Sequence, residues 1–397
     1  MIALHRSFVT DSPRILVIRN RYIGDTVLAI PFLRNLRRRF PDAVIDVLVE
    51  PGAGQILADC PYKNELVVWE RPQRVNEVVP GSLANVIATA RWLRTKRYDR
   101  AYILKRSLST GLLAWLAGIP HRVGAAKDGR GLLLSRRVPY HKERHEVELS
   151  LDLLRADGIE VDDGHNENWV AADAGAKADR LVSGLPLVRP RVFLAPRSTD
   201  EERNWPLDRM AEVIRWLIED RGCEIVLCGA ETDLVTHRQL SAALPPPTAT
   251  HLHDFSRECS LREAAALVSR MDLCVGVDSG LPHVAASFGV PVVTLSGAAD
   301  PRQWHPWQTQ AEVVAAADGS RSMLGITVGQ VQAATDRLFA AAGIEAKAQR
   351  RGLRSLDQRR GLRSLDLRRG GYRYEVVASA PCMQLQRSTL PETTKAA

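Results

Sequence analysis

Three short segments carry the residues able to do chemistry. The first, Arg19-Asn-Arg-Tyr-Ile-Gly24-Asp25, sets a carboxylate directly after a glycine. A carboxylate serves as a general base when it is held within hydrogen-bond reach of the hydroxyl it deprotonates. Gly24 permits a tight turn and close ligand approach, and Asp25 falls in a first helical turn, where the macrodipole stabilises its charge. A plain helix-start acid satisfies the same spacing. The second segment, Ala195 to Pro206, offers hydroxyls at Ser198 and Thr199 and guanidinium groups at Arg197 and Arg203. Such donors near a helix start suit phosphate oxygens; a solvated charged loop has the same composition. The third, Gly276-Val-Asp278-Ser279-Gly280-Leu-Pro-His283, puts small residues and free backbone N–H groups at a helix N-terminus, an anion site, with Asp278 and His283 to hold other polar groups. Its structural alternative is an N-cap beside a partly buried histidine. Neither G-x-G-x-x-G nor G-x-x-x-x-G-K is present, so the usual phosphate loops are excluded. His251-Leu-His253-Asp254 has no further ligand beside it and reads as a surface turn, so no metal site is expected.

The elements that must position these segments alternate. Arg14–Arg19 is an apolar strand, and Val27, Leu28, Ile30, Leu33 and Leu36 recur at helical spacing from Asp25 to Phe40. Pro41-Asp42 breaks that helix and Val44–Val49 completes a parallel βαβ unit. Tyr98–Leu104 reads as a further strand and Glu146–Ala156 as a helix. A mixed segment without strong periodicity, 161–190, is expected to be a linker. Beyond it the predicted strands are Arg191–Ala195, Glu224–Leu227, Leu273–Val277 and Val290–Leu295; the helices are Asp208–Asp220, Arg262–Met271 and Leu281–Phe288. The pattern predicts two doubly wound α/β domains, 1–160 and 191–344, whose ligands bind beyond the carboxyl ends of strands. All three chemical segments follow a strand.

The charge is unevenly spread. The net +8 of this 397-residue chain divides into +11 over residues 1–150, −10 over 151–344 and +7 over 345–397. Uniform binding to a polyanion such as nucleic acid is therefore disfavoured. A composition 45% hydrophobic and 25% charged excludes a disordered or collagen-like chain. Six cysteines without C-x-x-C spacing read as reduced core thiols of a cytoplasmic protein. No signal peptide is evident, and the best late apolar run, Gly111–Pro120, is well short of the roughly 20 residues a spanning helix needs. From Arg350 the chain repeats, RRGLRSLDQ then RRGLRSLDL, with Leu353/Leu356 and Leu362/Leu365 on opposite helical faces. The segment 345–397 is expected to be a disordered basic tail, with contact to an anionic membrane surface as the alternative.

Taken in order, the segments resemble glycosyltransferase family 9, the heptosyltransferases of lipopolysaccharide synthesis. The resemblance rests on R-x-x-x-x-G-D at Arg19–Asp25 followed by Leu28, Pro31 and Leu36; on Arg203-x-Trp-Pro206; on Asp278-Ser-Gly-Leu-Pro-His283 with Ala285-Ala-Ser-Phe-Gly-Val-Pro291; and on Gly297-Ala-Ala-Asp-Pro301. It spans about residues 14–340. It implies a GT-B architecture, two Rossmann-like domains facing a central cleft, and an inverting, metal-independent transfer of a sugar from a nucleotide-sugar, ADP-heptose in the best-known members. It implies no cofactor. The acceptor it implies is a lipopolysaccharide-type glycolipid core, met in the cytoplasm with peripheral contact at the inner membrane. By this resemblance Asp25 is the base beside Gly24, Ser198 and Arg203 contact the diphosphate, and Asp278, Ser279, Gly280 and His283 line the donor site. Two stretches depart from the family pattern: Ala195-Pro196-Arg197 replaces a small-residue run, and Ala299 stands where a hydroxyl is common. Arg34, Arg37, Arg38 and Arg39 crowd one helix end, where they complement the dipole and offer cations to an anionic acceptor. A sugar-nucleotide epimerase and a non-catalytic nucleotide-sugar-binding protein are the alternative readings.

Overall fold

Ile15, Leu16, Val17 and Ile18 are all fully buried, so the first strand is covered on both faces, the mark of a parallel sheet flanked by helices. In the computed structural model, which describes residues 12–19, 21–69, 82–127, 129–353 and 355, that strand is central to a six-stranded parallel sheet. Its strands are β1 (Arg14–Ile18), β2 (Val44–Val49), β3 (Leu66–Val68), β4 (Arg100–Ile103), β5 (His121–Ala125) and β6 (Arg136–Val138), in the order β3-β2-β1-β4-β5-β6. The second half repeats the plan with β7 (Arg191–Ala195), β8 (Glu224–Leu227), β9 (Leu252–Asp254), β10 (Leu273–Val277), β11 (Val292–Leu295) and β12 (Ala311–Val314), in the order β12-β11-β10-β7-β8-β9. Both are doubly wound, as the alternation of strands and helices predicts.

Several expectations need correction. The helix expected from Asp25 to Phe40 is two helices, Ile23–Val27 and Ile30–Arg39, because Pro31 near the second start has no N–H to continue the ladder. Twelve residues of the expected linker form a helix, Ala172–Ser183, whose Ala174, Ala178 and Val182 pack against the core of the second sheet. Its apolar face is largely alanine and therefore weak in sequence. The tail expected from 345 starts as helix over 344–353: Ile344 and Ala348 are fully buried, and Arg351 pairs with Asp272 at 2.9 Å and donates to the carbonyls of Leu187 and Arg189. The rest of the repeat, from 356, lies outside the described residues. The crowded arginines are held within the chain. Arg34 pairs with Asp163 and Glu167, Arg38 with Asp162 and Asp163, and Arg37 donates to the carbonyls of Pro41 and Ala43. Arg34 and Arg38 tie the first domain to the start of the linker, Arg37 braces the loop that follows its own helix, and Arg39 is exposed.

The His251–Asp254 segment, expected as a surface turn, carries the edge strand β9, and His251 and His253 both bond to the buried Glu224 at the start of the neighbouring β8, at 2.9 and 2.8 Å. Cys60, Cys223, Cys228 and Cys274 are buried free thiols. Burial pushes Cys60 up to about 11 and Cys223 up to about 12, so neither is a thiolate at neutral pH.

The two halves meet through His145, which caps the Glu146–Ala156 helix by accepting from the Val147 N–H at Nδ1. Its Nε2 bonds the His305 carbonyl at 3.0 Å, and its ring stacks on Trp307 with centroids 4.3 Å apart. A carbonyl only accepts, so Nε2 carries the proton and the ring is neutral. Burial pushes the His145 pKa down to about 3. The folded protein thus keeps this ring neutral while the unfolded chain takes up a proton below the ordinary value near 6.5. Stability is full above that pH and declines as pH falls toward 3, by about 1.4 kcal/mol per pH unit for one proton. Denaturant unfolding between pH 7 and 4.5 should show this slope, and His145→Asn, which keeps a capping side chain, should flatten it. An unchanged slope in the variant would remove His145 as its origin.

Candidate functional site

In each sheet the chain winds first to one side of the central strand and then to the other. The loops leaving β1 and β4 therefore diverge, as do those leaving β7 and β10, and each pair opens a crevice at the strands' carboxyl ends. The three segments singled out in sequence occupy these loops: Arg19–Asp25 after β1, Ala195–Pro206 after β7, and Asp278–Gly280 after β10.

On the first side, Asp25 is 7% exposed and is held by a buried arginine. Arg19 donates from Nη2 to the Asp25 Oδ1 at 2.8 Å and from Nε to the Asp25 backbone carbonyl at 2.8 Å. Its Nη1 reaches Glu146 Oε1 at 2.9 Å. Among the described residues the other carboxylate oxygen of Asp25 has only the half-exposed Arg21 Nε, 3.9 Å away. One edge of the carboxylate is fixed and the other is available.

On the second side, Asp278 (6% exposed) accepts from Arg203 Nη1 at 3.3 Å, and its Oδ1 lies 3.6 Å from His283 Nε2. His283 is buried, and its Nδ1 has no hydrogen-bond partner among the described residues. Ser279 stands at the N-cap of the Gly280–Ser287 helix, yet its hydroxyl makes no capping bond. Ser198 shapes the neighbouring loop: its N–H donates to Asn204 Oδ1 at 2.7 Å and its Oγ accepts from the Asp200 N–H at 3.3 Å. Arg197, where small residues are usual, pairs with Glu201 and donates to Thr236 Oγ1.

The two sides touch through their glycines. A Cβ on Gly24 would lie 2.7 Å from His283 Cδ2, and one on Gly280 would lie 2.7 Å from Ile23 Cβ and 3.4 Å from the Gly24 nitrogen. These glycines therefore have a packing role: they let the two helix starts close on each other. Gly280→Ala must push Ile23, and Asp25 behind it, away from the second half. We expect a loss of stability of about 1–3 kcal/mol and a fall in turnover of about tenfold or more from the displaced carboxylate. Parent-like turnover with an unchanged melting temperature would contradict this.

Sequence reasoning missed the acid that completes the first side. Glu146, fully buried, accepts from Arg19 and also from Arg106, at 2.9 Å to Oε1 and 2.8 Å to Oε2. Burial alone would raise its pKa, but the charges of Arg19 and Arg106 outweigh that and hold the carboxyl below its usual range. Gln303 of the second half donates to Glu146 Oε2 at 3.3 Å and to the Tyr140 hydroxyl at 3.1 Å. Arg106 sits in the loop after β4, one of the two crevice loops, and that topology was its available signal. Glu146 looks like an ordinary helix-start acid and had none.

Two parallel doubly wound halves, with a clamped carboxylate on one side of a cleft and a helix-start polar cluster on the other, define a two-domain glycosyltransferase of GT-B type. Comparison with known proteins supports this. The sequence model of glycosyltransferase family 9 (heptosyltransferase) matches residues 86–325. Lipopolysaccharide heptosyltransferase 2 of Salmonella typhimurium is 29% identical over 320 residues, covering 76% of this chain and 87% of the relative. The structure of E. coli ADP-heptose lps heptosyltransferase II superposes with a TM-score of 0.69 at 27% identity, covering 83% of this chain and 99% of that one. A family 9 glycosyltransferase from Veillonella parvula DSM 2008 shares the fold at TM-score 0.71 and 23% identity, covering 83% of this chain and 98% of that one. The chain belongs to glycosyltransferase family 9.

Proposed function

We propose that the protein transfers heptose from ADP-heptose to a sugar hydroxyl of the lipopolysaccharide core, with Asp25 as general base. The observation that carries this reading is the juxtaposition of the Asp25 carboxylate, fixed on one edge only, with the Asp278–His283 cluster across the Gly24–Gly280 contact. The acceptor hydroxyl oxygen attacks the anomeric carbon while Asp25 takes its proton. The bond from that carbon to the diphosphate oxygen breaks, ADP leaves, and the anomeric configuration inverts. Arg203, Ser198 and the N–H groups at the start of the Gly280–Ser287 helix meet the charge that develops on the diphosphate. Ser279 and the unpartnered His283 Nδ1 give the donor further polar contacts. In this reading residues 1–160 receive the acceptor, residues 191–344 hold the donor, and the +11 of residues 1–150 favours an acceptor rich in phosphate and acidic sugar. Among the described residues no helix is long and apolar enough to cross a membrane. We place the enzyme in the cytoplasm, in peripheral contact with the inner membrane that presents its acceptor.

The test is a thermal-shift series with ADP, UDP, GDP and ADP-heptose, followed by transfer from labelled donor to heptose-deficient core. A ligand that binds only the native state at about a hundred times its Kd adds about 2.7 kcal/mol. Stabilisation by ADP and its heptose derivative, with product only when acceptor is present, is the expected result. A response to UDP or GDP alone would overturn the heptose assignment, and product formed without acceptor would indicate an epimerase.

A further inference from the structure

Asp25 is not held by Arg19 alone. Arg19 commits Nε and Nη2 to the backbone carbonyl and the carboxylate of residue 25, so it fixes both the main chain and the side chain there. Its remaining nitrogen, Nη1, reaches Glu146 Oε1 at 2.9 Å and, more distantly, the Leu104 carbonyl at 3.5 Å. Glu146 is fully buried and takes Arg106 on both oxygens. Two guanidinium groups and two carboxylates thus form a group of zero net charge. Buried ion pairs add little net stability over apolar packing of the same volume, so two at one spot are better explained by the orientation they impose. Gln303 reaches Glu146 Oε2 from the opposite half, so this anchor is complete only where the two halves are docked.

We propose that Glu146 is a positioning residue for transfer: it anchors Arg19 so that Arg19 fixes one edge of Asp25 and leaves the other edge for the acceptor hydroxyl, with Gln303 as the contribution of the second half. The inference rests on Asp25 being the base. Glu146 touches neither substrate, so its removal acts on turnover more than on binding.

The experiment uses the full chain in steady-state transfer assays with ADP-heptose and core acceptor. Glu146→Gln leaves the part-buried Arg106 without its carboxylate and Arg19 with Asp25 alone, and can fail to fold, so the decisive variant is the double change Glu146→Gln with Arg106→Gln, which removes one charge of each sign. We expect its kcat to fall about tenfold to a hundredfold, the cost of a misplaced reacting group, with the KM for donor within about threefold and a near-parent melting temperature. Gln303→Leu should lower kcat in the same direction by a smaller factor. In an Asp25→Asn background the double change should cost nothing further, because its effect passes through Asp25; a merely structural role would multiply the two losses. A parent-like kcat in the double variant, or multiplied losses in the combined one, would overturn the proposal. Full turnover in Asp25→Asn itself would instead overturn the base assignment, so the two failures are distinguishable.

Discussion

Asp25→Asn is expected to reduce transfer by about a hundredfold to ten-thousandfold, the range that removal of a general base spans, while ADP still stabilises the protein as it does the parent. The carboxamide keeps the shape of the carboxylate, and its oxygen can still accept from Arg19 Nη2, so the clamp at 2.8 Å need not be lost. What disappears is the second oxygen's capacity to take a proton. Donor binding should survive because the groups proposed to contact the donor lie on loops after β7 and β10, on the other half of the chain. Rate and donor affinity therefore separate. Measuring kcat beside the ADP-induced thermal shift checks both at once, and equal loss of the two would mean that the variant is misfolded or that Asp25 belongs to the donor pocket.

Trp205→Ala should be the most damaging single change to the second half, costing about 3–5 kcal/mol as large aromatic truncations in a core do. Trp205 is 2% exposed and belongs to the core cluster that includes Leu194, Met210 and Ile326. Its indole N–H donates to the Ile326 carbonyl at 3.1 Å. It also sits two residues after Arg203, so it anchors the loop from which that guanidinium reaches Asp278. The alanine variant should lose stability and most of its response to ADP together. Trp205→Phe is the informative control. Arg209 Nη1 also donates to the Ile326 carbonyl, at 2.7 Å, so removing the indole N–H leaves no orphaned acceptor. Its cost should be about 1 kcal/mol, that of one net hydrogen bond, with ADP binding largely kept. Urea unfolding of both variants tests the pair; equal destabilisation would show that the hydrogen bond, and not the packed volume, carries the stability.

What could be read in the sequence was whatever is local. β1, β7, β8 and β10 are apolar runs behind at most one charged first residue, and β2 is broken only by the buried Asp46, because a strand buried on both faces leaves few polar positions to blur the signal. β3, β6 and β9, at or near sheet edges, have three residues each and are too short for a pattern to emerge. Asp25, Asp278 and His283 were accessible because the loops that carry them follow strongly patterned strands. Glu146 was not: its partners Arg19 and Gln303 lie 127 and 157 positions away in the chain. The same limit applied to the arginines of the Ile30–Arg39 helix. Their composition announced a cationic surface, but Asp163 and Glu167, about 130 residues further on, turn Arg34 into part of the frame. Gly24 reads in the sequence as a site of close ligand approach, and Gly280 as part of a helix-start anion site. That what approaches them is the opposite half of the chain followed only from the fold.

The order in which the chain is made bears on the clamp around Asp25. Both central strands, β1 and β7, come first in their sheets, and β4, which flanks β1, begins 82 positions after β1 ends at Ile18. At about 5–20 residues per second, the usual pace of synthesis, β1 waits roughly 4–16 s for that neighbour, and Arg19 waits roughly 6–25 s for Glu146. Gln303 follows later still. The carboxylate proposed as the base is thus made well before the residues that lock it. A nascent chain stalled before residue 146 would carry Arg19 and Asp25 as a lone pair, with neither the anchor nor the opposite wall of the cleft.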